Sequence, residues 1–301
     1  MKTRKRKVAV VGALNVDIGG IPEAAFRPGD SIPGRVRVSL GGVGWNIARD
    51  CASLGAETAF FSVLGADAHE AEIRRDAARF GVAISGCRWE SAENNRYLYI
   101  SGKGGDMAAA VNDMRLTERI DRAYIAEILP LLNGFDAIAA DANLPPEALR
   151  ALAEGAGAPI AADCVSAVKC GRLREILPRL HTLKANRMEA EMLTGRIEPE
   201  ACAAALLDAG VKRAVISLGA EGVLCAENGC LCREPALTVP IEDTTGAGDS
   251  LTAAFAVGLA YGLEARRCAA LGMRAAAVTM TETGAVAGKL STLSDEFGGA
   301  S

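Results

Sequence analysis

Asp243-Thr244-Thr245-Gly246-Ala247-Gly248-Asp249 runs directly into the apolar stretch SLTAAFAVGLAYGL, Ser250 to Leu263. Glycine tolerates backbone conformations that other residues resist, so Gly246 and Gly248 on either side of Ala247 let backbone amides converge on one point. The apolar stretch reads as a buried helix, which puts those amides at its electropositive start, a ready site for phosphate or another anion. Asp249 opens the helix, where a carboxylate can cap free amides. A carboxylate beside an anion cradle is an odd pairing unless it takes a proton from a group about to attack that anion. The pattern points to phosphoryl transfer, with Asp249 as base for an acceptor hydroxyl and Gly246, Ala247 and Gly248 holding the moving charge. A capped helix after a glycine turn explains Asp249 alone, but not the doubled glycines and threonines around it.

These residues resemble the C-terminal signature of the ribokinase-like (PfkB) carbohydrate kinases, D-T-x-G-A-G-D. Near the other end, Gly41-Gly42-Val43-Gly44-Trp45-Asn46 resembles the family's N-terminal signature, a glycine pair before an asparagine on a helix. The motifs stand in the family's order, so the resemblance spans nearly the whole chain. It implies a ribokinase-like α/β fold: a mainly parallel central sheet flanked by helices, with a small β-sheet lid over the acceptor. It also implies ATP as phosphate donor with Mg²⁺, and in many members K⁺.

Composition agrees. A chain of 301 residues, 50% of them hydrophobic, can bury one large core. The net charge of −4, with mixed signs, leaves no electrostatic footprint for nucleic acid. Lys2-Thr3-Arg4-Lys5-Arg6-Lys7 reads as a solvated start more readily than as an anionic-surface contact. Val8–Gly12 is too short an apolar run for a signal peptide, and no segment is apolar enough to span a membrane. The 9 cysteines are scattered without zinc or redox spacing, and the 2 histidines, His69 and His181, sit apart from them. Most lie in apolar segments as small hydrophobes, which fits a reducing cytosol and no structural metal.

Strand-like and helix-like segments alternate along the chain. Lys7–Val11, Thr58–Val63, Val82–Cys87, Ala137–Ala140, Ile160–Asp163, Thr182–Ala185 and Ala214–Ser217 read as strands; Asn46–Leu54 and Ala68–Phe80 read as helices stopped by Gly55 and Gly81. Such alternation implies a parallel sheet with helices on both faces, whose ligands bind beyond the carboxyl ends of the strands. Asp141, Asp163, Asn186 and Ser217 fall at those ends. With no repeat or linker, one domain over 1–301 is expected. Ser31–Leu40, Arg96–Ile100 and Met107–Val111 break the alternation and read as an antiparallel flap turning at Gly102-Lys103-Gly104-Gly105, either an edge hairpin or a lid. Lid strands are expected from about 13–40 and 94–112, as the family resemblance implies. Closing over the acceptor excludes water, which would otherwise hydrolyse the donor.

Asn15 and Asp17 follow the first strand, where two polar side chains can hold vicinal hydroxyls. Gly41 and Gly42 allow close backbone approach, and Asn46 offers both a donor and an acceptor. Taken singly, Asn46 also reads as a helix cap and Asn15-Val16-Asp17 as a turn. The resemblance carries acceptor binding onto Asp17, Gly42 and Asn46, with Asn15, Gly41 and Asp163 beside them. On the donor side, Asn186-Arg187-Met188-Glu189 matches the family's N-x-x-E motif, which implies that Glu189 reaches Mg²⁺ through water; the same spacing is ordinary capping chemistry. Ser217-Leu218-Gly219-Ala220-Glu221-Gly222 is similar to the nucleotide loop, so Ser217, Gly219 and Gly222 join Asn186, Gly246 and Gly248 as nucleotide-binding candidates, although a β-turn reads equally well. Asp243 and Thr245, with Gly284, match the position of a monovalent-cation site common in the family.

Within the family, Asp163-Cys164-Val165-Ser166-Ala167-Val168-Lys169 resembles the D-P-V-S-x-x-K segment of the pseudouridine kinases. His181–Glu191 resembles their H-T-x-K-P-N-x-x-E-A-E segment, and Met107–Met114 their lid region. Cys164 and Ala185 stand where that branch has proline, a change in chain stiffness more than in chemistry. The acceptor this implies is the ribose 5′-hydroxyl of pseudouridine, or else another nucleoside or ribose-like sugar, in a small-molecule kinase that can pair as a homodimer through its lid. A non-catalytic binding protein of the same fold would be expected to lose Asp249 or the glycine cradle, and both are intact. A dinucleotide-dependent dehydrogenase is excluded because Gly12-Ala13-Leu14-Asn15-Val16-Asp17 lacks the G-x-G-x-x-G spacing.

Overall fold

Along the first strand, β1 (Lys7–Val11), Val8 and Val10 join one hydrophobic cluster while Ala9 and Val11 join another. Side chains alternate across a strand, so a strand apolar on both faces lies between two layers. The computed structural model describes residues 4–101, 107–282, 284 and 288–298. It continues with β2 (Asn15–Pro22), β3 (Gly34–Gly41), α1 (Val43–Ser53), β4 (Glu57–Phe61), β5 (Val63–Gly65), α2 (Glu70–Phe80) and β6 (Arg88–Glu90). Next come β7 (Asn95–Ser101), β8 (Met107–Asp113), α3 (Arg122–Leu132), β9 (Ala137–Asp141), α4 (Pro146–Gly155), β10 (Ile160–Asp163), β11 (Thr182–Asn186) and α5 (Arg187–Thr194). The last third holds α6 (Pro199–Asp208), β12 (Arg213–Ser217), β13 (Val223–Glu227), β14 (Cys230–Glu234), α7 (Ala247–Ala260), α8 (Ala265–Met280) and α9 (Ser294–Gly298).

The central sheet has 8 strands in the order β14-β13-β12-β11-β10-β9-β1-β4. Its pairs are parallel from β12 to β4, and β13 and β14 add an antiparallel edge. Helices α3 to α6 bury Ile125, Leu149, Leu193 and Leu206 against one face, and α1, α2, α7 and α8 bury Trp45, Ile73, Val257 and Leu271 against the other. Trp45 is fully buried, edge-on to Phe60 at 5.1 Å, and its Nε1 donates to Asp76. Burying such side chains contributes roughly 1.5–3 kcal/mol each, and this one pins the start of α1. Each of the 9 cysteines is a free thiol. Among the described residues, no helix is long and apolar enough to cross a membrane.

A second sheet, in the order β3-β2-β7-β8, stands apart from the first. Four readings change here. The flap is not wholly antiparallel, because β2 and β7 run parallel at its centre. Asn15 and Asp17 lie in strand β2 and not in a turn. Val82–Cys87 is not a strand: only Ala83 bridges to Ala59, the chain turns as Cys87 N–H donates to Ile84, and pairing resumes at β6. The expected strand Thr58–Val63 breaks at Ser62 into β4 and β5, which belong to different sheets. The expected turn at Gly102–Gly105 lies outside the described residues.

Candidate active site

Sheet order sets out the site. Asp141, Asp163, Asn186 and Ser217 end β9, β10, β11 and β12, with Asp141 paired in register to Asp163 and Asn186 to Ser217. Helix α7 packs over β9, β10 and β1, and its start meets this row of side chains. Gly246 is its N-cap residue at φ 83°, a left-handed conformation that favours glycine. Among the described residues no side chain caps the helix, so the capping role read for Asp249 is not what the structure displays; Ala247 N–H donates to Thr244 O, and the amides of Gly248 and Asp249 are left for a ligand.

Asp249 lies in the first turn of α7 and keeps part of its surface open. Asn46 Nδ2 donates to its Oδ2 at 2.7 Å, and Arg49 Nη2 donates to Asn46 Oδ1 at 2.6 Å. Asn46 therefore orients Asp249, keeping one amide hydrogen for another partner. Burial pushes Asp249 up to about 7, the Asp163 charge adds to this, and the Asn46 bond opposes it. Partial contact with solvent falls short of bulk solvation, so partial exposure and strong desolvation coexist.

Asp163, expected beside the acceptor, is nearly fully committed within the protein. Its Oδ2 accepts from Lys184 Nζ at 3.1 Å and from Thr252 Oγ1 at 2.5 Å, and its Oδ1 accepts from Val165 N–H at 2.7 Å. Lys184, which the sequence reading passed over, is buried under the glycine cradle: a Cβ on Gly248 would lie 3.1 Å from its Nζ. Burial alone would lower the Lys184 ammonium, but Asp163, Glu189 and Asp249 hold it above the usual lysine range. A lysine inside an apolar strand, two residues before Asn186, was the signal available for it.

The acceptor candidates do converge. Asp17 Oδ2 would lie 2.0 Å from a Cβ on Gly41, so only glycine fits there, and Gly42 turns the chain at φ 95°. Asn15 Oδ1 and Asp17 Oδ1 are buried with no hydrogen-bond partner among the described residues. Such acceptors cost about 1–3 kcal/mol each unless something donates to them. Burial pushes Asp17 up to about 6, with the Arg49 guanidinium pulling the other way. Asp141, also passed over as a site residue, has a third such atom: its Oδ2 is buried and unpartnered, and burial pushes its carboxyl up to about 7. A cleft of about 840 Å³ joins Asp17 and Arg49 to Asp243, Thr245 and Gly284.

On the other side, Asn186 and Glu189 form a reciprocal capping box. Asn186 Oδ1 accepts from Glu189 N–H at 2.9 Å, and Glu189 accepts from Asn186 N–H at 2.7 Å and Nδ2 at 2.8 Å. Gly219 stands in open space, where a ligand can approach the backbone. Gly222 is needed for a different reason: a Cβ there would lie 2.0 Å from Glu234 O, so its role is to pack the β13–β14 edge. Asp243 accepts from Thr245 N–H at 2.9 Å and Gly284 N–H at 3.2 Å, tying the glycine motif to the segment after α8.

The model of the pfkB family carbohydrate kinases matches residues 5–293. The chain belongs to the PfkB family of carbohydrate kinases. This PfkB chain is 34% identical over 263 residues to a pseudouridine kinase of Escherichia coli K12, covering 84% of this chain and 83% of that one. It is 27% identical over 300 residues to a ribokinase of Haemophilus influenzae, covering 93% and 94%. Its fold superposes on the crystal structure of ribokinase from Thermotoga maritima with a TM-score of 0.86 at 25% identity, covering 97% of this chain and 99% of that one. The ribokinase-like fold is thereby established, and with it the sugar or nucleoside kinase family, whose members are ATP-dependent phosphotransferases acting on hydroxyl groups.

Proposed function

We propose that this protein phosphorylates the ribose 5′-hydroxyl of pseudouridine, using ATP, to give pseudouridine 5′-phosphate. The observation that carries the acceptor side is the pair of buried, unpartnered oxygens, Asn15 Oδ1 and Asp17 Oδ1, beside the gap left by Gly41. Vicinal hydroxyls are donors of the right kind to satisfy them, and Asp141 Oδ2 adds a further acceptor. The choice of pseudouridine is supported by the resemblance at Asp163–Lys169 and His181–Glu191 and by the similarity to the Escherichia coli pseudouridine kinase.

Asp249 takes the 5′-hydroxyl proton as the new O–P bond forms and the bond from the γ-phosphorus to the ADP oxygen breaks. The amides of Gly248 and Asp249 face the equatorial oxygens, and Asn46 holds the base in line. Asn186, Ser217 and Gly219 lie along the donor's path. Glu189 keeps a free lone pair on each oxygen beyond its bonds to Asn186, so with Asn186 it can orient water around Mg²⁺, which neutralises donor phosphate charge when bound. K⁺ is assigned to the Asp243–Thr245 and Gly284 segments, which Asp243 already ties together. The β2, β3, β7 and β8 sheet acts as the lid. Its outer face exposes Val36 at 75% and Val111 at 67%, which suits pairing with a second copy, and sedimentation of wild type against Val36→Asp checks this.

The decisive assay is ADP release with pseudouridine, a nucleoside panel, D-ribose and D-fructose, read together with product mass. Pseudouridine-dependent ADP and a product heavier by one phosphate are expected. Faster turnover of ribose or fructose than of any nucleoside would refute the acceptor assignment.

A further inference from the structure

The cleft has an aromatic wall to which the chemistry above gives no task. On the lid, Tyr97 sits beside Asp17 in register, and Tyr99 beside Gly19. The two rings stack with centroids 5.7 Å apart and planes inclined at 29°. A Cβ on Gly19 would lie 2.6 Å from Tyr99 Oη, so the missing side chain is what lets the Tyr99 ring lie across β2. Tyr97 Oη donates to Met107 Sδ at 3.1 Å, holding its ring against β8. Both rings are only partly buried and line the cleft, so they are not core packing. The alternate positions of the same strands, Leu98, Val36 and Val38, are apolar. The aromatic residues therefore share a face of the sheet with Asp17, and Leu98, Ile100 and Val36 take alternate positions.

We propose that Tyr97 and Tyr99 form the surface on which the flat, conjugated base of a nucleoside stacks. This rests on the kinase reading above and narrows its substrate class to nucleosides over free sugars. The proposed acceptor pose supports it: in a ribose held by its hydroxyls at Asn15 and Asp17, the 5′ carbon and the C1′ substituent lie on opposite sides of the ring oxygen. With the 5′-hydroxyl at Asp249, the base must leave along the lid. Neighbouring strands lie about 4.8 Å apart, so Tyr97 stands one strand away from the carboxylate that holds the hydroxyls. On the opposite side of β2, Ser39 is in register with Asp17 and Arg37 with Gly19, and both line the same cleft. Their donors suit the carbonyl oxygens of a pyrimidine-type base.

Base–aromatic stacking corresponds to a change in affinity of roughly 5- to 150-fold. Calorimetric binding of pseudouridine, uridine and D-ribose to wild type, Tyr97→Leu, Tyr99→Leu and the two phenylalanine variants tests this, with melting curves to verify folding. Nucleoside affinity should fall by that factor in the leucine variants and persist in the phenylalanine variants, which keep the ring. D-Ribose, with no base to stack, should bind all five proteins alike. Equal losses for ribose and nucleoside, no loss for either, or a wild type that binds no nucleoside more tightly than ribose would overturn the proposal. If nucleosides bind and the leucine variants lose them but no ADP forms, the stacking surface stands and the kinase reading fails.

Discussion

Replacing Asp249 by asparagine separates its chemistry from its place in the fold. The asparagine Oδ1 can accept the Asn46 Nδ2 bond now made at 2.7 Å, and no cap is lost because α7 has no side-chain cap among the described residues. On the proposed mechanism what disappears is the proton acceptor, which is typically worth roughly 10²–10⁴ in rate and should be lost from kcat with acceptor affinity retained. Burial raises the wild-type carboxyl from 3.8 to about 7, and the base acts only when ionised. Turnover should therefore climb as pH rises through about 7 and then level off. Stability runs the other way. Between those two values the folded protein holds a proton that the unfolded chain releases, so this group's contribution is full below the lower one and is lost as pH rises through the upper one. At 1.36 kcal/mol per unit, the loss has an upper bound on the order of 4 kcal/mol. Asparagine never ionises, so the variant should melt at or above wild type at alkaline pH and match it in acid. Coupled ADP release and scanning calorimetry across the pH range measure both. A folded variant with more than about a tenth of wild-type turnover, or one that melts below wild type at alkaline pH, refutes the reasoning.

Lys184→Met should destabilise by roughly 3–5 kcal/mol by leaving Asp163 buried without its cation, and adding Asp163→Asn should restore much of that in a denaturant titration. Gly41→Ala should raise the acceptor KM while leaving the KM for ATP unchanged, because the new methyl would overlap the Asp17 carboxylate; equal changes in both would contradict the placement of Asp17 in the acceptor pocket. Glu189→Gln should raise the Mg²⁺ concentration needed for half-maximal turnover. Glutamine can still accept from Asn186 N–H at this position, so an unchanged Mg²⁺ dependence in the folded variant would make the residue purely structural.

The central sheet was legible because its strands carry their own punctuation. Lys7–Val11 is apolar on both faces, and Gly81 ends α2 in the left-handed conformation at φ 70°, a stop visible in one residue. The second sheet was harder for the opposite reason. Strand β2 contains Asn15, Asp17, Gly19 and Gly20, a composition that reads as a turn, because its residues are chosen for what approaches them from outside. Its parallel pairing with β7 brings together segments far apart in sequence, and no local periodicity records such a partner. Val82–Cys87 failed in reverse: its composition suits a strand, but Ala83 alone finds a neighbour.

The same distinction separates what could and could not be read in the site. Asp249, Gly246, Gly248, Asn46 and Gly41 sit in two compact motifs whose spacing carries their chemistry. Lys184 and Asp141 lie in strands that otherwise look like core, and their importance arises only after folding. Lys184 is held as a buried cation by Asp163 on β10, Glu189 on α5 and Asp249 on α7, three separate elements. Asp141 is notable only because its Oδ2 lacks a partner among the described residues. A buried charge or an unanswered acceptor is costly, so a fold keeps one when a ligand or reaction compensates for it. That reasoning needs burial and partner distances, which belong to the assembled sheet. It is why the acids at the ends of β9 and β10 could be placed by sequence while their division of labour could not: Asp163 is spent on Lys184, whereas Asp141 still waits for a donor.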